Sequence, residues 1–358
     1  MERATASDHA APRKTGISEP STQWERALVA LSRYREASIA VVAIVMVIYF
    51  QWGSAGAFLS SQELSVVLRD TGRYGLIAAA QVMLMITGEI DISVGSTFSL
   101  APYVMVLLSL TLGVPLAISA AAAILLGVLI GVVNGVITVG FRVPSLITTV
   151  GTLFLLQGVV VSLYNSQPII APVEEPFNEI LGENLYSPTD SIWSWHGLTA
   201  FTPFLWPVVI VFIMAVVLRR TTFGLHTIAT GSNIIGAREI GVRTDRIKVY
   251  NFMIVGGLAA AAGVINTIQF ASADPLAGGP TLTLQAIAAA VIGGTSLLGG
   301  SGTAVGALVG AFVVATLNNG LVMLGAQATV SDIYLGAAII VAMIINVQVD
   351  RIRARRRI

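Results

Sequence analysis

Apolar stretches of about 20 residues recur along this chain from about Ala37 to Val347. Each is long enough to cross a bilayer as a helix, and in lipid a helix is the simplest way to satisfy every backbone N–H and C=O. Of 358 residues, 55% are hydrophobic and only 11% charged, against about 25% charged in soluble domains. The chain is therefore expected to be an all-α polytopic membrane protein with about ten transmembrane helices. The spans are placed near 37–53, 74–88, 93–112, 114–138, 145–165, 199–218, 247–271, 284–298, 303–325 and 330–347. Residues 1–36 read as a polar N-terminal tail, 37–347 as the membrane domain and 348–358 as a basic C-terminal tail.

Several chemistries are excluded by residue counts. There is no cysteine, which removes disulfides and thiolate metal sites, and the three histidines (His9, His196, His226) lack any metal-ligand spacing. No metal and no cofactor are expected. A P-loop needs a lysine after glycine, whereas Lys14 follows Arg13 and Lys248 follows Ile247. If transport is driven by ATP, the motor is another polypeptide. No Ser–Lys or His–Glu pairing within a span supports an intramembrane enzyme. The net charge of +1 gives no reason to expect nucleic acid.

Charge placement sets the expected sidedness. Arg3, Arg13, Lys14, Arg26, Arg33 and Arg35 precede the first span; Arg219, Arg220, Arg238, Arg243, Arg246 and Lys248 lie in 219–248; five arginines lie in 351–357. Ten spans with a cytoplasmic N-terminus put all three groups inside, as basic loops prefer. The loop 166–198, with five acids and no Lys or Arg, then falls outside. Arg69 and Arg73 are the misfits.

A repeat is visible at an offset of 185 residues. "NGVITVGFRVPSLITTVG" from Asn134 and "NGLVMLGAQATVSDIYLG" from Asn319 superpose their Asn-Gly pair, Gly140 on Gly325 and Gly151 on Gly336. The same offset brings Glu89 onto Asp274. Spans two to five would correspond to seven to ten, so the copies would face opposite ways, a transporter device. Glycines at every fourth position (Gly127, Gly131, Gly135; Gly302, Gly306, Gly310) fit close helix packing in lipid.

Two polar segments stand out. "TGEIDISVGS", residues 87–96, puts Glu89, Asp91 and Ser93 between two spans. Three readings stay open: a polar turn at the cytoplasmic surface, a re-entrant break lining a permeation path, or an ion site shared with Asp274. The polar residues Asn134, Thr148, Gln157 and Asn319 lie within predicted spans and fit either helix–helix contacts or a path. The second segment, "SNIIGAREIG", reads as a short helix capped by Ser232 or Asn233 and ended by Gly241, a docking knob or an ordinary basic loop.

"TGEIDISVGS", "VPSLITTVGTLFLLQGVVVSLYNSQPI", "FGLHTIATGSNIIGAREIGV" and "AIAAAVIGGTSLLGGSGTAVGALVGAFVVATLNNGL" together resemble the permease subunits of bacterial ABC importers for sugars, of the ribose, xylose and autoinducer-2 type. The resemblance runs from about Val66 to Val347. It implies a cytoplasmic ABC ATPase, a periplasmic sugar-binding protein meeting loop 166–198, a second permease copy or paralogue, and an inner-membrane location. It also implies an ATPase-coupling helix over Gly231–Gly241, with Gly231, Ser232, Asn233, Ala237, Arg238, Glu239 and Gly241 as its residues, and a place for "IDISVGS" near the path. Where many relatives carry acids and paired alanines after the Asn, this chain has Ile234, Ile235, Gly236 and Ala237, and Glu89 stands where many have Gly.

Overall fold

The computed structural model describes residues 35–172, 174, 180–181, 202–327 and scattered positions between 333 and 344. The expected tails, most of loop 166–198 and most of span 330–347 lie outside the described residues. Where described, the chain is helical apart from one two-residue strand pair. In chain order the elements are α1 Arg35–Gly53, α2 Ser61–Ile86, α3 Val94–Leu112, α4 Leu116–Gly140, α5 Ser145–Tyr164, β1 Ile169–Ile170, α6 Thr202–Arg220, α7 Thr222–Ser232, α8 Ile234–Glu239, α9 Thr244–Phe270, β2 Ser272–Ala273, α10 Gly279–Ile292 and α11 Ala304–Met323.

Local chemistry sets the helix starts. Ser60 caps α2, its hydroxyl accepting from the Glu63 amide, and Pro115 and Pro144 stand just before α4 and α5. Thr303 caps α11 by accepting from Gly306 N at 2.9 Å. Nine expected spans contain a described helix. By length and apolarity α3, α4, α5, α9 and α11 qualify as membrane spans, and a sixth does if α6 and α7, bent by 72°, count as one. The described helices thus fit a polytopic membrane protein but do not by themselves give ten spans. α1 and α10 fall short in apolar length, and α2 carries Glu63, Arg69, Asp70 and Arg73.

α2 and α9 form the middle of the bundle, and residues 76–86 of α2 are buried on every side. The neighbours of these two helices match under the 185-residue shift. α4 packs on α9 as α11 packs on α2, α3 on α9 as α10 on α2, and α3 on α4 as α10 on α11. α2 also touches α9, and α3 touches α10, each against its own counterpart. Such exchange is what a two-fold relation between halves requires.

Glycine makes the crossings close. A Cβ at Gly127 or Gly131 would strike the backbone carbonyls of Gly256 or Phe252 on α9, and one at Gly310 the carbonyl of Ala289 on α10. The four-residue spacing of small residues is therefore realised as backbone contact, which in lipid replaces hydrophobic burial as the attraction between helices.

Candidate functional site

α3 and α10 both start abruptly after non-helical breaks, at 87–93 and 271–278, and their N-termini meet. A Cβ at Gly95 would collide with the carbonyl of Gly279, and one at Gly278 with that of Gly95. The two helices cap one another there. Gly95 N donates to Thr283 Oγ1 at 3.0 Å, and Gly278 N donates to Ser99 Oγ at 3.1 Å. Because 95 pairs with 283 and 99 with 278, the helices run antiparallel through the crossing. A helix start leaves amides unsatisfied and carries partial positive charge. Here each start receives a hydroxyl from the other.

The first break is held by side chains from four helices. Asp91 is fully enclosed, with its Oδ1 accepting from Ser93 N at 2.8 Å and from Ser93 Oγ at 2.6 Å. Asn134 on α4 donates to Asp91 Oδ2 at 3.3 Å and to Ser93 Oγ at 2.9 Å, while its Oδ1 accepts from Thr152 on α5 at 2.7 Å. Gln81 on α2 brackets the Asp91 backbone, donating to its carbonyl and accepting from its amide. Ser145 accepts from Ile90 N at 3.2 Å, and Thr283 donates to Ile92 O at 3.0 Å. A buried irregular backbone would be costly without such partners, and apart from Gln81 and Ser93 they come from distant parts of the chain. Gln81, Ser145, Thr152 and Thr283 were absent from the sequence-derived site; only Gln81, a lone polar residue in "GLIAAAQVMLMI", carried a signal.

Glu89, two residues from Asp91, has a different environment. Its carboxylate pairs with Lys248 of α9 at 2.5 Å, both side chains about 15% exposed. The expectation of an ion site shared by three acids finds no geometric support. Asp274 lies in the second break, where its Oδ1 accepts from Leu276 N at 2.8 Å, and no three acids or histidines group together among the described residues. Asn319 is separate again, donating to Asp70 Oδ2 at 3.0 Å. Thr148 is buried beside the network, its hydroxyl without a partner among the described residues, and Gln157 accepts from Ser96 Oγ at 3.4 Å. Of the eight expected path residues, then, Asp91, Ser93 and Asn134 are joined directly by hydrogen bonds.

The segment 222–243 holds two helices where one was expected. Thr221 caps α7 by accepting from Gly224 N at 3.2 Å, and a bare ST-type cap in "RRTTFG" was the overlooked signal. Asn233 caps α8, accepting from Gly236 N at 2.9 Å, and Gly241 ends the segment with φ of +86°, a conformation that favours glycine. Gly231 closes α7, packed so tightly that a Cβ would strike the carbonyl of Ile86. Ala237 is turned inward, buried with Val242 and Ile247. Arg238 reaches back to α9, donating to Thr244 Oγ1 at 2.8 Å and to Asp245 Oδ1 at 2.7 Å. The exposed residues of α8 are Ile235, Arg238 and Glu239, flanked by exposed Ser232 and Asn233 before it and Ile240 after it. Ala237 thus faces the interior, whereas Ile235 (69% exposed) and Ile240 (77%) face outward.

Comparison with known proteins agrees over almost the whole chain. A xylose/arabinose import permease protein of Sulfolobus acidocaldarius is 34% identical over 332 residues, 88% of this chain and 86% of the relative. Autoinducer 2 import system permease proteins of Photorhabdus luminescens and Salmonella choleraesuis are each 34% identical, covering 81% and 87% of this chain and 83% and 85% of their own. No solved structure matches. Residues 63–343 match the family described as "Branched-chain amino acid transport system / permease component", and the chain belongs to that family of transport permease components.

Proposed function

We propose that this protein is the membrane-spanning permease subunit of an ATP-driven importer for a monosaccharide or a related polyol, embedded in the inner membrane with both termini cytoplasmic. The observation that carries this reading is near-full-length similarity to import permeases whose names specify xylose/arabinose and autoinducer 2. The site chemistry supports it. Around the first break, hydroxyls and amides outnumber charges, as suits an uncharged hydroxyl-rich solute. α8 is a rigid, capped element with two exposed isoleucines beside a basic stretch, the form of a docking knob for a cytoplasmic ATPase.

On this reading ATP hydrolysis resides on a partner chain, a periplasmic binding protein delivers the sugar, and a second permease copy or paralogue completes the path. Alternating access would turn on the crossing of α3 and α10, where two antiparallel helix starts meet with glycine between them. Inverted halves that rock about a central site are built in this way.

The test is a mild-detergent pull-down of the tagged protein from its native membranes, with every co-purifying chain identified. An ATPase carrying a Walker A lysine at near-equal stoichiometry is the expected result. Recovery of the permease alone, together with sugar uptake that needs no ATP, would overturn the reading.

A further inference from the structure

The turn between α10 and α11 presents a leucine for which the chain itself has no use. Leu298, in "GGTSLLGGSG", is 93% exposed, more than any other large hydrophobic residue among those described. Its backbone is far from loose. Ser296 N donates to Ser301 O at 3.0 Å across the turn, Leu298 N donates to Ser296 Oγ at 3.2 Å, and Gly300 N donates to Ile86 O at 2.8 Å. Gly294, Gly299 and Gly300 all take positive φ, so the turn is written in glycine. A Cβ at Gly299 would lie 3.2 Å from Gly88 N, and one at Gly300 3.2 Å from Ser232 Oγ. The turn is thus wedged between the first break and the α7–α8 corner.

We infer that Leu298 forms a second contact for the same partner ATPase that α8 engages, an inference that rests on the function proposed above. Its surroundings favour an aqueous docking face over lipid. The neighbouring segment exposes Ile235 and Ile240 together with Arg219, Arg220, Arg243 and Arg246, a basic density that marks the cytoplasmic side of a membrane. Gly300 packs against Ser232, which sets Leu298 beside the corner that exposes Ile235 and Ile240, and exposed apolar residues grouped in this way mark an interaction surface. The partner chemistry is an apolar recess with an acidic rim. The Gly300–Ile86 bond joins this contact directly to the residue before the first break, so movement of the ATPase at Leu298 would reach that break alongside the α7–α8 corner.

The chain's lack of cysteine makes the test direct. Single cysteines replace Leu298, Ile235 and, as a control at the cytoplasmic end of α4, Phe141 (76% exposed), in full-length protein co-expressed with the ATPase that co-purifies with it. Labelling by a membrane-impermeant maleimide in inside-out vesicles should be at least fivefold slower at 298 and 235 when the ATPase is present, and unchanged at 141. Leu298→Asp should lower ATPase recovery about tenfold, the scale set by one buried leucine. Protection at 235 without protection at 298 overturns this inference and leaves the proposed function standing. No labelling at 298 with or without ATPase means lipid or a second permease copy covers it, and also overturns the inference. Failure of any ATPase to co-purify removes both.

Discussion

Asn134→Leu tests whether the first break is held by its polar network. The substitution nearly preserves volume but removes the amide that donates to Asp91 Oδ2 at 3.3 Å and to Ser93 Oγ at 2.9 Å. Thr152 loses little, because its hydroxyl also donates to Thr148 O at 3.1 Å. The cost falls on Asp91, which is left enclosed with no described donor to Oδ2. Hydrogen bonds to charged groups contribute about 1.5–3 kcal/mol, and a stranded buried acceptor costs more than a neutral pair. The expected destabilisation is about 2–4 kcal/mol, read from SDS-driven unfolding in mixed micelles. A double-mutant cycle with Asp91→Ala isolates the pair. Neutral interhelical bonds in lipid average about 0.6 kcal/mol, so a coupling of about 1.5 kcal/mol or more is expected here. A coupling below about 0.5 kcal/mol would refute the account of Asp91 as a carboxylate held by Asn134.

Glu89→Gln should keep sugar uptake within about twofold, since the Lys248 partnership is a partly exposed pair of modest worth; loss of uptake by tenfold or more in vesicles would revive an ion-coupling role for that acid. Gly95→Val should abolish monodisperse protein on size exclusion, because its side chain must displace the Gly279 carbonyl, whereas Gly88→Ala, with open space but φ of +85°, should cost only about 1–2 kcal/mol. Ala237→Glu should lower stability by at least about 3 kcal/mol by burying a carboxylate against Val242 and Ile247; Ile235→Glu should leave stability within about 0.5 kcal/mol yet reduce the co-purified ATPase. Equal behaviour of those two variants in both assays would contradict the assigned faces of α8.

The spans were legible because hydropathy over twenty residues needs no knowledge of partners. What was hidden depended on residues far away in the chain. α2 begins at Ser61, well before the expected start near 74, and so takes in Arg69, Asp70 and Arg73. The fold gives each a contact: Arg73 pairs with Asp70 at 3.1 Å, Asn319 donates to Asp70, and Arg69 lies 4.8 Å from the Phe270 ring centre. The two misfits of the charge rule are thus part of a helix, each with its own contact. Within "TGEIDISVGS" the sequence offered two equivalent acids. Lys248, 159 residues from Glu89, and Asn134, 43 residues from Asp91, decide that one forms an ion pair and the other is enclosed. The turn at Gly241 was readable from one residue, whereas the inward face of Ala237 required knowing that Val242 and Ile247 fold back on it.

The two breaks related by the 185-residue shift are secured by different means, and the difference assigns them different mechanical roles. The second break carries β2, which pairs antiparallel with β1 through Ile169–Ala273 and Ile170–Ser272, so backbone bonds tie it to the end of α5. The first has no strand partner and depends on side chains from α2, α4, α5 and α10. The two residue pairs of backbone ladder hold the second break in register; on the proposed function, the hydroxyl and amide contacts of the first could be exchanged one at a time for contacts with a polyol. The first break is also the one touched by the α7–α8 corner and by the turn at Gly300. A device that must yield to a partner on one side and hold on the other would be built with this asymmetry. In two equally rigid breaks the shared crossing of α3 and α10 could only move as one block. On the function proposed above, with one break pinned and the other exchangeable, a push at Ile86 would tilt α3 against α10 about the glycines that join them.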